Sequence, residues 1–339
     1  MCTGPRRFGG EPLPPADFIR IVERVSRVDG STGWVVAFAS ALTYLAALPL
    51  DTQAQIYKDG PNVVFAGGLF PIQPALRTER GYLVDGRWKF ASGCMAADLI
   101  GVGIPADDGS GRPRTALPRP EQVEIMREWD VTGMRGSGSY DILVDGVEVD
   151  RDWTFGHRPS TSLSTATPSS ACKLRSMRRS ASASPARPWN SWSKPAAEQV
   201  SPALPPLAER AHYRTTFAKA YASLHSAQAF YLDTAEEVWQ TVLAGDEPSP
   251  RQVAIVRLSS ANVADVAAQV VHDLCAISGA GVIHNSHPLQ LLQQDAQVPR
   301  LHATLGQAMT APDPCSWAGP PPTPASPDRE PPRPSRSPP

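Results

Sequence analysis

The chain has 339 residues, 41% of them hydrophobic, which is enough for a sizeable buried core and points to a folded globular protein. A formal net charge of −1 sets up no global field toward nucleic acid or an anionic membrane, so the expected partner is a small molecule. Cys2, Cys94, Cys172, Cys275 and Cys315 form no C-x-x-C pair, which argues against a zinc site or a disulfide framework and fits a reducing cytoplasm.

The opening residues MCTGPRRFGGEPLPP hold no apolar segment of the secretory kind. From Pro14-Pro15, which suits a first helical turn, Phe18, Ile21, Val22, Val25 and Val28 recur at helical spacing, while Arg20, Glu23, Arg24 and Arg27 take the other side. Asp29-Gly30-Ser31 turns into a nearly all-apolar helix from Thr32 to about Leu48, which must be buried on most sides. The apolar run Trp34 to Leu50 is 17 residues long and broken by Ser40, Thr43 and Pro49, short of the ~20 residues a membrane span needs. A third short helical piece follows Asp51.

From about Val63 to Phe155 the pattern changes to strands. Tyr82 and Val84 precede Asp85-Gly86 and Trp88 and Phe90 follow it, so this segment is predicted to be a hairpin with a two-residue turn. Asp145-Gly146 repeats the device between SYDILV and VEV, and 99–104 and 123–129 are further strands. Residues 207 to 310 return to helix. Leu207, Ala211, Phe217, Ala220, Tyr221, Leu224, Ala227, Phe230, Tyr231, Val238, Trp239 and Val242 trace one stripe up to Gly245. Ser249-Pro250 starts a second helix through Val256, Val263, Val270 and Leu274 to a Ser278-Gly279 stop, and the two should pair antiparallel within a bundle.

Two stretches follow no period. Between His157 and Pro206, 33 of 50 residues are Ser, Pro, Ala or Arg and Glu198 is the only acid; from Ala311 to Pro339, 12 of 29 are proline, which precludes helix or central strand. They read either as a basic linker and a proline-rich tail, or as translations in a shifted frame of a GC-rich gene, since each begins where a regular pattern stops. The chain thus divides into helices over 1–60, an antiparallel β domain over 61–156, the irregular segment 157–206, a helical bundle over 207–310 and the tail 311–339.

This α+β order, with specific motifs, resembles the acyl-CoA dehydrogenase superfamily. GYLVDGRWKFASGCMAADLIGVG (81–103) is similar to its segment ending on a small hydroxylic residue beside a flavin ring, and WDVTGMRGSGSYDILVDGVEVDRDWTFG (129–156) to its signature at the close of the sheet domain. DGSTGW (29–34) with W-x-F-x-S-G-C (88–94) resembles its flavin-dependent monooxygenase branch, the oxygenase halves of two-component aromatic and steroid-ring hydroxylases. The resemblance covers about 6–156 and 205–305. It implies an N-terminal helical domain, a central antiparallel β-barrel-like domain and a C-terminal helical bundle. It also implies FAD or FMN reduced by a separate flavin reductase, a small-molecule substrate that is aromatic or polycyclic, and a cytoplasmic homotetramer with no nucleic-acid or membrane partner. Relatives carry further helix before an element like Pro5 to Gly10 and a first bundle helix where 157–206 stands. Phenol-hydroxylating relatives have histidines after GSTGW and in an R-D-x-H element, where this chain reads ASALTYLAAL and Gln294-Asp295-Ala296-Gln297.

The chemistry of a flavin gives these residues roles. An isoalloxazine ring is flat, apolar on its faces and polar along its edges, so it needs aromatic walls and a short donor. Period two puts Trp88, Phe90 and Ser92 on one strand face, and Gly93 lets the backbone approach. Ser92 is expected to donate near the ring N5 as the catalytic hydroxyl, with Phe90 and the Ala91-Ser92 backbone forming the platform and Trp88 and Gly93 also among the cofactor-binding residues. Oxygen chemistry on reduced flavin further requires that water be excluded. Arg210 and Arg214, one turn apart, could reach a flavin phosphate or lie on a solvated helix face.

Other motifs give less. Gly133, Gly136 and Gly138 do not fit G-x-G-x-x-G, and G-S-G-S at 136–139 lacks nucleophile-elbow spacing. Arg135 reads as a structural donor, Asp295 and Arg300 as a helix ion pair, and His284, His287 and His302 lack metal-ligand spacing. An acyl-thioester dehydrogenase remains the alternative enzyme, and an inactive truncated or frame-disrupted product the alternative of another class.

Overall fold

The computed structural model describes residues 4–11, 13–26, 28–105, 113–156 and 205–302, so the readings of 157–206 and 311–339 fall, but for Pro205 and Pro206, outside the described residues. Helix α1, Pro15–Ser26, buries Phe18, Ile19 and Val22. Its buried face is rotated from the predicted stripe, leaving Ile21 and Val28 exposed. The Asp29 carboxylate caps α2, Gly30–Ala37, by accepting from the Thr32 backbone at 2.6 Å and its hydroxyl at 2.7 Å. The predicted long helix then tightens to 3₁₀ geometry over Phe38–Ala47. Ser40 and Thr43 donate to carbonyls three residues back at 2.8 Å, side-chain bonds that compete with the α-helical ladder. Helix α3, Leu50–Ile56, follows.

Eight strands among the described residues form two four-stranded sheets with a shared core. One has the order β1 (Phe65–Gly68), β4 (Leu99–Ile104), β5 (Arg114–Ala116), β8 (Thr154–Gly156); the other runs β2 (Ala75–Arg77), β3 (Gly81–Ala91), β7 (Tyr140–Asp150), β6 (Glu124–Met126). Val84, Trp88, Ile142 and Val144 of the second pack with Ile100, Val102, Ile104 and Ala116 of the first. Two expectations are corrected here. The region is not wholly antiparallel: β1 pairs with β4 in parallel, with Phe65 opposite Leu99, because the chain between them crosses to the other sheet to form β2 and β3. Neither Asp-Gly is a hairpin turn: β3 and β7 are continuous 11-residue strands through them, paired with each other. Val84 faces Val147 and Gly86 faces Val144, so β7 carries one extra residue at Asp145-Gly146, a bulge with Gly146 at φ 59°.

Helix α4, Ala211–Leu243, and helix α5, Pro250–Ile277, are joined by a short loop, and a reciprocal Ser249–Gln252 capping box starts α5. Thr234 meets Ser259 at 2.9 Å and Thr241 meets Gln252 at 2.9 Å, so the helices run antiparallel. Leu224, Ala227 and Tyr231 pack there with Val263, Ala267, Val271 and Leu274, together with Ile19 of α1. Helix α6, Pro288–Arg300, which the sequence reading did not separate, packs on α5. Two stretches, Gly30–Ala47 and Pro250–Ile277, are long and apolar enough to cross a membrane, and half of each window is buried within the fold.

Candidate functional site

The end of β3 is where α2, the loop 129–139 and α6 converge. Between Trp88, opposite Ile142, and Ala91, opposite Tyr140, β3 takes three steps while β7 takes two. The extra residue is absorbed at Phe90, in the left-handed region at φ 61°, and the Ser92 N–H closes a tight turn onto the Phe90 carbonyl at 2.9 Å. A one-residue bulge reverses the alternation beyond it. The expected shared face of Trp88, Phe90 and Ser92 is therefore corrected. Trp88 is fully buried and donates its indole N–H to the Gly103 carbonyl at 2.7 Å, pinning the two sheets together. Phe90 is 65% exposed, whereas Ala91 and Ser92 turn inward. Gly93 takes φ 79°, as its expected role in close approach allows.

The Ser92 hydroxyl lies in a buried polar chain. Its oxygen accepts the Trp34 indole N–H at 3.0 Å and lies 2.6 Å from the Ser139 hydroxyl, itself 2.8 Å from that of Ser137. All three serines are buried. Around them Phe38 and His302 each set a ring edgewise to Trp34 at 5.7 Å, and Trp129 stands edgewise to Phe90 at 6.3 Å.

The loop that carries Ser137 and Ser139 is clamped from three sides. A Cβ at Gly133 would fall 2.2 Å from the Gln294 carbonyl of α6, so only glycine permits this approach. Met134, at φ 54°, gives its N–H to the Asp295 carboxylate at 2.6 Å, a charge-assisted bond that offsets a strain of roughly 1–2 kcal/mol. Gly136 lies against Ser31 of α2, and the Gly93 N–H reaches the Ser137 carbonyl at 3.4 Å. Burial pushes the Asp295 carboxyl above its ordinary value, the Met134 N–H opposes that, and the Asp29 charge adds to it. Cys94, beside the cluster, is a buried free thiol whose pKa burial also raises.

Other sequence expectations end elsewhere. Asp295 and Arg300 are not an ion pair: Asp295 turns to Met134, and Arg300 bonds Asp265 of α5 at 2.7 Å. Arg135 is exposed and donates to no described residue, so its structural role is not seen. Arg210 and Arg214 use their Nε–H groups on the Pro205 and Ala208 carbonyls at 3.0 and 3.1 Å, and no hydrogen bond or ion pair among the described residues joins them to the Ser92 cluster. His287 accepts from the Leu289 N–H at the start of α6, and no group of three His, Cys, Asp or Glu among the described residues is placed to hold a metal. Trp34, Ser137, Ser139 and Asp295 were not singled out from the sequence as site residues. The first three lie in the quoted motifs DGSTGW and GMRGSGS, but partners 58 and 47 residues from Ser92 leave no local signal.

The acyl-CoA dehydrogenase C-terminal domain family matches residues 188–307. Indole-3-acetate monooxygenase of Pseudomonas putida is 41% identical over 316 residues, covering 89% of this chain and 79% of its own. The chain belongs to the flavin-dependent monooxygenases of the acyl-CoA dehydrogenase superfamily. Membership makes it an oxidoreductase and favours the oxygenase over the thioester dehydrogenase. Indole-3-acetate monooxygenase of Acinetobacter baumannii is 35% identical, covering 90% of this chain and 80% of its own. The oxygenase component of an FADH2-dependent resorcinol hydroxylase from Rhizobium sp. is 32% identical over 166 residues, 46% of this chain and 41% of its own. Among solved structures, 3-HSA hydroxylase from Rhodococcus sp. RHA1 shares the fold with a TM-score of 0.81 at 21% identity, over 94% of this chain and 87% of that one. TdsC from Paenibacillus sp. A11-2, solved with FMN and indole, gives 0.76 at 18% identity, over 94% and 88%.

Proposed function

We propose that the chain is the oxygenase of a two-component system that receives reduced FMN or FAD from a separate reductase and hydroxylates an indole-type aromatic acid. The observation that carries this reading is the Ser92 hydroxyl, held by Trp34 and Ser139 immediately beside the outward-facing Phe90 ring and the side-chain-free Gly93. These residues fit a flat ring with a polar edge: Phe90 offers an aromatic face, Gly93 no obstruction, and Ser92 a hydroxyl fixed from behind. Reduced flavin, when bound, would supply the two electrons that activate O2, one atom of which enters the substrate while the other leaves as water.

The chain's own contribution is binding and exclusion of water. Ser92 orients the ring edge, and Phe90 with Trp129 lines its approach. The packing of α2, α6 and the loop 129–139 keeps water from the polar chain behind Ser92. Arg210 and Arg214 have guanidinium groups with further donors available for a flavin phosphate. The two relatives matching most of the chain support indole-3-acetate as substrate. A cytoplasmic homotetramer, assembled through the C-terminal helices, completes the reading.

The test is to mix the purified chain anaerobically with reduced FMN or FAD and indole-3-acetate, admit oxygen, and follow product by mass. The expected result is substrate carrying one added oxygen atom, formed at least about tenfold more slowly by Ser92→Ala. Unaltered substrate with all consumed oxygen recovered as hydrogen peroxide contradicts the proposal.

A further inference from the structure

We propose that Asp295 is a positioning residue for the oxygenase reaction: through the Met134 peptide it sets both the serine behind Ser92 and the Trp129 ring beside Phe90, and so governs how much of the consumed oxygen reaches the substrate. The inference rests on the cofactor reading above and deepens it by naming what holds that site in place from the helical side. The Met134 peptide is a junction. Its N–H goes to the Asp295 carboxylate at 2.6 Å, and its carbonyl accepts the Ser137 N–H at 3.0 Å and, at the longer distance of 3.5 Å, the Trp129 indole N–H. From Ser137 the hydroxyl contacts lead to Ser139 and on to Ser92, and the Ser137 carbonyl takes the Gly93 N–H at 3.4 Å. From Trp129 the path leads to Phe90, whose ring it meets edgewise. One peptide thus connects to both sides of the corner proposed for the flavin.

Local structure does not hold that peptide by itself. Met134 at φ 54° and Gly138 at φ 49° both lie in the left-handed region, and only a three-residue 3₁₀ turn separates them. A non-glycine residue persists there only where its surroundings over-determine it. Here the surroundings are α6. Gly133 lies so close to the Gln294 carbonyl that the loop backbone is seated on the helix, and the next N–H falls on the Asp295 carboxylate. Asp295 is buried, and its side chain makes no other hydrogen bond among the described residues. Helix α6 is tied in turn to α5 through Arg300 and Asp265 at 2.7 Å. Without the Asp295 acceptor, the strained and buried Met134 peptide keeps an unpaired N–H, which favours turning the peptide over and carrying Ser137 and Trp129 with it. Two electrons from the reduced cofactor meet one O2 whether or not the geometry holds. In productive turnover one oxygen atom enters the substrate and the other leaves as water; in the leak both leave as hydrogen peroxide.

Asp295→Ala tests this in two ways. With reduced flavin, oxygen and indole-3-acetate, hydrogen peroxide recovered per hydroxylated product should rise about tenfold through a fall in kcat for product, while the substrate KM moves by less than about threefold. In the cofactor-free chain, amide hydrogen exchange over residues 133–139 should quicken by about tenfold or more, the effect of losing one charge-assisted bond. Asp295→Asn, whose side-chain oxygen still accepts the Met134 N–H, should recover most of both effects. If Asp295→Ala does not fold, Asp295→Ser, too short to reach that N–H, takes its place. Wild-type exchange and a wild-type ratio of peroxide to product in the alanine variant overturn the inference and leave the cofactor reading intact. So does fast exchange with an unchanged ratio, the mark of a merely structural residue, and so does an asparagine variant no better than the alanine. Wild-type protein that binds no flavin, or that yields peroxide alone, overturns the oxygenase reading and this inference with it.

Discussion

The α4–α5 helix pair and the β3–β7 ladder arise from equally regular sequence, yet regularity foretold side-chain direction in only one of them. In α4 the apolar period delivers Ala220, Leu224, Ala227, Tyr231 and Val238 to the buried face, and the error is confined to the stripe's margins, where Tyr221, Phe230 and Val242 stay half-exposed. In β3 the alternation holds through Trp88 and then inverts, because one extra residue enters at Phe90. Each residue of a long helix turns by the same angle, so a misread position costs little. A strand has two faces, and one inserted residue exchanges them. The inversion presents Phe90 outward and Ala91 inward, and the tight turn from Phe90 to Ser92 then brings the Ser92 hydroxyl to Trp34.

Removing the inserted residue is the most severe way to probe that contrast. Deleting Lys89 restores two steps against two on β7 and should turn Ser92 away from Trp34 and Ser139. Flavin affinity, read by titration, should then fall on the order of 100-fold, as misplaced groups at such sites do. Retention of wild-type affinity would show that the bulge positions nothing. In the helix pair the matching change acts on stability instead. Leu224→Ala should cost about 3 kcal/mol in denaturant unfolding while leaving the flavin affinity of the folded protein unchanged. A loss of affinity as large as that of the deletion would break the distinction between the two regions.

Two smaller effects sharpen it. Ser249→Ala removes one half of the capping box at the start of α5 and should lower stability by about 1 kcal/mol, measured in the same unfolding experiment. Asp295 joins the regions, since it sits on α6 and holds the loop of Ser137 and Ser139. Its pKa is raised in the fold, chiefly by burial, so the folded state holds this proton more tightly than the unfolded chain. The corresponding stability is fully present below the ordinary carboxylate pKa of 3.8 and is lost as pH rises through the folded value. Asp295→Asn, whose side-chain oxygen can still accept the Met134 N–H, should flatten the decline in melting temperature with rising pH above about pH 4. An unchanged slope would remove Asp295 as its source.

What the sequence disclosed follows the range of the interactions concerned. The helices α1, α4 and α5, the cap at Ser249 and the strand at Leu99–Ile104 rest on residues a few positions apart, and they were legible. Asp85-Gly86 and Asp145-Gly146 misled because a dipeptide suited to a turn is equally suited to irregular strand pairing, and only the partner strand decides between them. At the site, Ser92, Phe90 and Gly93 could be named from one short segment. Trp34 and Ser139 could not, because they reach Ser92 through the meeting of a helix cap, a bulged strand and a loop held by Asp295. Trp88 was misassigned for the same reason as the turns: the bulge two residues beyond it is invisible in one strand alone.

The position of bound flavin tests the central claim most directly. In a crystal structure with FMN or FAD, the Ser92 hydroxyl should lie within hydrogen-bonding distance of the ring edge, roughly 3 Å, with its bond from Trp34 retained and Phe90 against the ring. A flavin bound away from the end of β3, or a ring edge met by another group while Ser92 stays enclosed by Trp34 and Ser139 alone, would contradict it.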